Sequence, residues 1–306
     1  MEAGRFVRLI LTPMRVLEKI GEMREASRAC RRNGGRVGLV PTMGALHEGH
    51  LSLVRAARAK CDTVAVSIFV NPTQFGPRED FSQYPRTFDR DCELLRGENV
   101  DLVFAPAVQE IYPAQPGSAG QQRAAVPAYS TWIEVAALTD RLDGKSRPGH
   151  FRGVATVVAK LFHIVEPDVA FFGQKDAAQL LIIRRMVRDL NFPIEVVGCP
   201  IVREPDGLAM SSRNAYLSSE ERKLALLLNR SLREVEQAFR AGEHRIDALI
   251  RIGSDAFSLQ PAVRLDYFEI VNPETLEPPA QAERSLVAVA AYVGTTRLID
   301  NLLLEK

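Results

Sequence analysis

Charge of one sign is what this 306-residue chain most conspicuously lacks: 39 lysines and arginines stand against 38 aspartates and glutamates. That balance removes the bulk electrostatic attraction exerted by a nucleic acid or an anionic membrane, so neither is an expected partner. Long hydrophobic runs are missing too, and none approaches the roughly 20 apolar residues that span a bilayer. The apolar patch within residues 1–20 is short and has no small-residue cleavage site, so no secretory leader is expected. Cysteine is scarce: Cys30, Cys61, Cys92 and Cys199 lie far apart and form no C-x-x-C pair, which argues against a disulfide framework and for reduced thiols in a cytoplasmic protein. The Walker pattern G-x-x-x-x-G-K-[ST] is absent, which argues against a P-loop phosphotransferase.

What is present is an ordinary globular composition, 46% hydrophobic and 25% charged, in a chain long enough for one large or two ordinary domains. From Thr12 the apolar positions Val16, Leu17, Ile20 and Met23 step at helical spacing, and with Thr12 as N-cap and Pro13 at the first helical position they predict an opening helix. "RVGLVPT" then reads as a buried strand, "HLSLVRAARAKC" as a helix and "DTVAVSIFV" as a second strand. The alternation continues with a helix over 88–96, a strand at "VDLVFA", a helix at "FRGVATVVAKLFHIV", a strand at "DVAFFG", a helix at "AAQLLIIRRMVRDL" and a strand at "IEVVGC". This rhythm predicts a parallel sheet covered on both faces, a doubly wound α/β domain over residues 1–201. Over 202–306, two helical stretches precede strands at "VRLDYFEIV" and "SLVAVAAYV", which predicts a smaller C-terminal α+β domain. The stretch 113–130 has little to bury and reads as an exposed loop.

In open α/β sheets ligands bind where strands end and helices begin. "TMGALHEGH" lies at such a point: its glycines admit close backbone approach, and a helix start offers free N–H groups to phosphate. His47 and His50 would project on one side if the helix begins near Glu48, and two imidazoles there can stabilise negative charge developing in a displacement. A surface histidine pair is the plainer reading, and zinc fits less well because no third ligand is evident. At "FFGQKDAAQL", Lys175 supplies a charge for phosphate and Asp176 a carboxylate for magnesium, although Lys-Asp at a helix start is also an ordinary dipole arrangement. In "EPDGLAMSSRNAYLS", Ser211, Ser212 and Arg213 could clamp a triphosphate; alternatively this is a polar loop before a helix capped by Ser218 and Glu221. In "FVNPTQFGPREDFSQYPRT", Asn71 and Gln74 suit a small polar substrate, with a mobile flap over 72–85; the alternative is a long surface loop.

Together these segments resemble the pantothenate synthetase (pantoate-beta-alanine ligase) family. "VPTMGALHEGH", "SIFVNPTQFGPREDFSQYPRT", "RPGHFRGVATVVAKLFHIVEPD", "FFGQKD", "IRRMVRDLN" and "REPDGLAMSSRNAYLS" occur in the family's order across most of residues 36–218. The resemblance implies a Rossmann-like nucleotidyltransferase domain, ATP as co-substrate with Mg2+, a pantoyl-adenylate intermediate, β-alanine as the second acceptor, and a homodimer. By the same resemblance Met43, Gly44, Ala45, Leu46, His47, Glu48, Gly49 and His50 would line the ATP site. Gly173, Gln174, Lys175 and Asp176 would also meet ATP, and Val202 with Met210, Ser211, Ser212 and Arg213 would close over it. His50, His47, Lys175, Ser211, Ser212 and Arg213 would carry the chemistry, and Asp176 would lie near the metal. Gln74 and Gln179 would hold pantoate, Gln74 would also meet β-alanine, and Asn71 would border the pocket.

Two departures stand out. The family usually reads K-D-x-Q-Q, whereas Ala178 precedes Gln179 here, and the 113–130 passage is longer than usual. Another adenylyltransferase would share "HEGH" but need not carry "NPTQFG" or "GQKDAAQ". An aminoacyl-tRNA synthetase is disfavoured by neutral charge and by the lack of a basic tRNA-binding module. A nucleotide-binding regulator that had lost catalysis would not need His47, His50, Lys175 and Arg213 together.

Overall fold

A computed structural model of the chain describes residues 13–77, 79–113 and 130–305. The first half runs β1 (Arg15–Leu17), α1 (Ile20–Arg32), β2 (Val37–Thr42), α2 (Glu48–Lys60), β3 (Thr63–Ile68), α3 (Phe88–Gly97), β4 (Leu102–Phe104) and α4 (Val108–Ile111). Then follow α5 (Asp143–Ser146), α6 (His150–Val165), β5 (Val169–Gly173), α7 (Ala177–Asp189) and β6 (Glu195–Cys199). The C-terminal part comprises α8 (Ser219–Arg240), α9 (Ile246–Ser258), β7 (Val263–Val271), β8 (Ser285–Val293) and β9 (Thr296–Leu304).

The six strands of the larger sheet are parallel, in the order β1-β4-β3-β2-β5-β6. Their apolar runs are continuous because both faces are covered: Leu39, Ala65, Leu102, Phe104, Ala170 and Phe172 pack with α1, α6 and α7. Their neighbours Val40, Val64, Val66, Val103, Val169 and Phe171 pack with α2 and α3. From β2 the chain proceeds to β3 and β4 on one side, then to β5 and β6 on the other. The crevice at the carboxyl ends of β2 and β5 is therefore a topological switch point.

The smaller sheet is antiparallel, β7-β8-β9. Val287, Val289, Ala291 and Val293 of β8 face α8 and α9, while Leu286 and Ala288 join the core formed with the larger sheet. Burial on both sides explains why "SLVAVAAYV" has no polar alternation. The expected capping box before α8 is present, with Ser218 and Glu221 satisfying each other's backbone N–H.

One expectation needs correction. The opening helix does not start near Pro13: Arg15–Leu17 is an edge strand paired with Leu102–Phe104, and α1 begins at Ile20. Helical spacing of Val16 and Leu17 is overridden because parallel pairing buries Leu17 in the sheet core. Thr12, the proposed cap, lies outside the described residues, as do positions 114–129 of the expected loop. The strand β9 escapes sequence patterning because Asp300 and Asn301 interrupt its apolar alternation, yet it pairs with β8 along its whole length across a tight turn at Gly294.

Candidate active site

The loop leaving β2 bends through two consecutive left-handed residues, Gly44 at φ 80° and Ala45 at φ 49°. The carboxylate of Asp91 on α3, completely buried, accepts the Ala45 and Leu46 N–H groups, each at 2.9 Å, and the Thr87 hydroxyl at 3.0 Å. This internal anion holds the loop so that α2 begins at Glu48 and both histidines face the crevice. Their rings lie 4.1 Å apart, centre to centre.

Hydrogen bonding sets their tautomers. His47 Nδ1 accepts from Gly49 N–H at 3.2 Å, and His50 Nδ1 accepts from His47 N–H at 3.4 Å. A backbone N–H only donates, so each Nδ1 is bare and each neutral ring keeps its proton on Nε2. Burial, reinforced by the charge of Lys175, lowers the His47 pKa from 6.5 to about 4. Burial and then His47 lower that of His50 to about 3. The pair therefore presents two neutral N–H donors rather than two cations.

Across the switch point β5 ends at Gly173, and a short 3-10 turn, Gln174–Asp176, leads into α7. Lys175 Nζ lies 3.4 Å from Asp176 Oδ1, and both line the same crevice as the histidines. Burial opposes ionisation of Asp176, but Lys175 and then Arg213 outweigh it and hold the carboxyl below its ordinary range. Among the described residues no group of three or more His, Cys, Asp or Glu could hold a metal ion. A single carboxylate beside a phosphate site is the donor set that magnesium uses when substrate oxygens and water complete its shell.

The third wall is the 210–213 loop. The Ser211 hydroxyl caps a 3-10 turn by accepting the Arg213 N–H, and the Ser212 hydroxyl donates to the Ala45 carbonyl at 3.1 Å, joining this loop to the histidine loop. Arg213 forms a two-pronged pair with Asp80, both contacts 2.9 Å. Arg147 pairs in the same way with Glu79, at 2.6 and 3.0 Å, and Tyr216 donates to the Gln83 carbonyl. The segment expected to be a flap is thus strapped from two sides.

Below this polar rim lies a pocket. Asn71 caps the 3-10 turn Pro72–Gln74, donates to Gln74 Oε1 at 3.0 Å and accepts from the Tyr112 hydroxyl at 2.8 Å, while the Gln74 amide nitrogen donates to Met43 Sδ at 3.4 Å at the cavity wall. The turn sits directly on α6 at Gly153, where a Cβ would come within 2.4 Å of the Thr73 carbonyl oxygen. His150 donates from Nδ1 to the Gln74 carbonyl at 2.8 Å, and its bare Nε2 accepts from Arg147 at 3.0 Å. Burial and the Arg147 charge lower its pKa to about 4. Gln179 completes the polar contacts, and Val154, Val157, Val158 and Leu161 of α6 with Phe69 and Phe172 supply an apolar wall.

Of the sequence-derived candidates, Met43, His47, His50, Asn71, Gln74, Lys175, Asp176, Gln179, Met210, Ser211, Ser212 and Arg213 line one cavity. Gly44, Ala45, Gly49, Gly173, Gln174 and Val202 shape it from the backbone without lining it, and Leu46 is core. The Glu48 side chain turns away to Arg55 on the surface. Sequence reasoning missed Asp91, Arg147, His150 and Tyr84, the last of which lines the same cavity. "RPGH" ahead of a helix was the available signal for two of them.

The three depressed imidazoles make acid stability testable. Unfolded, each binds a proton near pH 6.5; folded, each binds it only near pH 3 to 4. Their contribution is complete above 6.5 and is lost as pH falls toward those values. The urea midpoint is expected to be lower at pH 5 than at pH 7, and equal midpoints would contradict neutral burial.

Comparison with known proteins supplies a family for this geometry. Residues 15–303 match the sequence model of pantoate-beta-alanine ligase. A pantothenate synthetase of Acidobacterium capsulatum is 58% identical over 303 residues, covering 95% of this chain and 97% of the relative. The crystal structure of pantothenate synthetase from Thermus thermophilus is 46% identical and superimposes with a TM-score of 0.86, covering 96% of this chain and 100% of its own. A pantoate-beta-alanine ligase from Francisella tularensis, complexed with beta-gamma ATP and beta-alanine, is 32% identical with a TM-score of 0.76, covering 95% of this chain and 98% of its own. With both its sequence and its fold matched over nearly their full length, the chain belongs to the pantoate-beta-alanine ligase family.

Proposed function

We propose that the chain is a pantothenate synthetase that condenses pantoate with β-alanine at the expense of ATP, giving pantothenate, AMP and pyrophosphate. One observation carries the reading: a polar rim of His47, His50, Lys175 and Ser211–Arg213 opens into a pocket that pairs two amides, Gln74 and Gln179, with an apolar wall. The rim suits a triphosphate and the pocket suits a small branched hydroxy acid. The Francisella tularensis relative, complexed with beta-gamma ATP and beta-alanine, supports ATP and β-alanine as two of these substrates.

A pantoate carboxylate oxygen attacks the α-phosphorus in line, and the bond to pyrophosphate breaks. The β-alanine amine then attacks the acyl carbon of the adenylate, AMP leaves, and the amine proton passes to solvent. Such displacements need positioning and charge stabilisation more than a protein nucleophile. The Nε2–H groups of His47 and His50 donate to phosphate oxygens, and Lys175 offsets their charge. Asp176 would hold Mg2+, which supplies further charge neutralisation when bound. Gln74 and Gln179 orient pantoate, Asn71 fixes Gln74, and Gln74 also meets β-alanine. Asp80 holds Arg213 through Nε and Nη2, and the remaining guanidinium N–H groups are available to a phosphate oxygen. Gly44–Leu46, Glu48, Gly49, Gly173, Gln174, Val202 and Met210 contribute as backbone or packing around the nucleotide.

The same reading divides the chain at 201/202, with the smaller domain closing over the nucleotide; first proteolytic cleavage within 200–218 would support that boundary. It also places a homodimer in the cytoplasm, in keeping with four free cysteines; among the described residues no helix is long and apolar enough to cross a membrane. A sedimentation mass of a single chain would remove the dimer.

Pyrophosphate release across a panel of acids tests the substrate directly. Release is expected only with pantoate and ATP together, and pantothenate only after β-alanine is added. Release indifferent to pantoate would sink the assignment.

A further inference from the structure

The turn bearing Lys175 is held not by its own domain alone but by an amide of the smaller one. Asn301 on β9 donates from Nδ2 to the carbonyls of Gln174 at 2.9 Å and Lys175 at 2.7 Å. Both facing atoms are acceptors only, so the NH2 end must face them and the amide orientation is forced. Its Oδ1 is buried and finds no partner among the described residues. A half-satisfied amide at a position 4% exposed is a poor choice for stability alone. Its two donors are spent on one peptide pair, and trans peptides then turn the Lys175 and Asp176 N–H groups away from β9.

The neighbouring residue acts on the opposite wall of the crevice. Asp300, its side chain 2% exposed, pairs with Arg203 through contacts of 2.6 and 2.9 Å. Arg203 also donates to the Gly207 carbonyl and bridges Ala209, immediately before the 210–213 loop. Adjacent residues on one edge strand thus hold both phosphate-facing loops.

We propose that Asn301 is a positioning residue of the nucleotide site, holding the Gln174–Asp176 turn so that Lys175 and the turn's amides meet the triphosphate. The inference rests on the ATP reading of the crevice. It is tested with the full chain by measuring KM for ATP, KM for pantoate and kcat of pyrophosphate release, together with the rise in thermal midpoint produced by magnesium ATP. Asn301→Asp and Asn301→Leu keep the shape and remove the donors; Asn301→Ser keeps one shorter donor and serves if the others fail to fold. KM for ATP is expected to rise about tenfold in the first two and less in the third, with the ATP-induced midpoint shift reduced and KM for pantoate within about twofold of wild type. A folded variant with unchanged KM for ATP, or one in which both KM values rise equally, would overturn the role. A wild-type protein showing neither an ATP-induced shift nor ATP-dependent release would instead overturn the ATP reading itself.

Discussion

Lys175→Ala is expected to slow adenylate formation by about 100-fold or more, the roughly 2.7 kcal/mol associated with loss of one preorganised charge-stabilising donor. The reason is its place: Lys175 sits at the end of β5, opposite His47 and His50, both of which are neutral, so it is the principal positive charge on that side of the crevice. The arginines that line the same crevice, Arg213 and Arg147, are engaged with Asp80 and Glu79. Single-turnover pyrophosphate release with saturating ATP and pantoate separates this from weaker binding. A change under threefold would remove Lys175 from the chemistry. Thermal stability should move little, because its ion pair with Asp176 is long and open to solvent on one side.

Asp91→Ala is expected to do the reverse and damage stability first. The substitution strands the N–H groups of Ala45 and Leu46, and each buried donor left unpaired costs about 1–3 kcal/mol. Gly44 and Ala45 hold their left-handed conformations around that carboxylate, so the histidine loop loses its anchor along with its hydrogen bonds. Because displacement of a positioned group by about 1 Å can cost on the order of 100-fold, the rate should fall by a comparable factor in whatever fraction folds. Asp91→Asn keeps one acceptor oxygen and should fall between wild type and Asp91→Ala. Urea unfolding and pyrophosphate release on the same preparations check both parts. An alanine variant within about 0.5 kcal/mol of wild type would show that the loop holds itself.

The legible part of the site was the part with local chemistry. His47 and His50 declared themselves through spacing and a helix start, and their reciprocal capping needs only residues 47–50. Lys175 and Asp176 lie at a strand end that hydrophobic periodicity locates. Asp91 gave no such sign: in sequence it is one acid among others in the first turn of α3, and its role depends on partners 45 and 46 positions away. His150 and Arg147 were visible as residues of a resembling motif, but their tautomer and their hold on Gln74 come from contacts across 73 to 76 positions.

The sequence by itself determined the alternation of buried strands and helices, the change of architecture after β6 and the placing of its glycine-rich and polar loops at strand ends. Each is a short-range consequence of which faces must be buried and where backbone must bend. Only the tertiary structure decided that Arg15–Leu17 is a strand, that β9 exists, that Arg213 is clasped by Asp80, and that Asn301 holds the Lys175 turn. Those outcomes rest on pairs as far as 133 residues apart. Partners at that separation leave no period in the chain, because the geometry that joins them is created only when the sheets and helices pack.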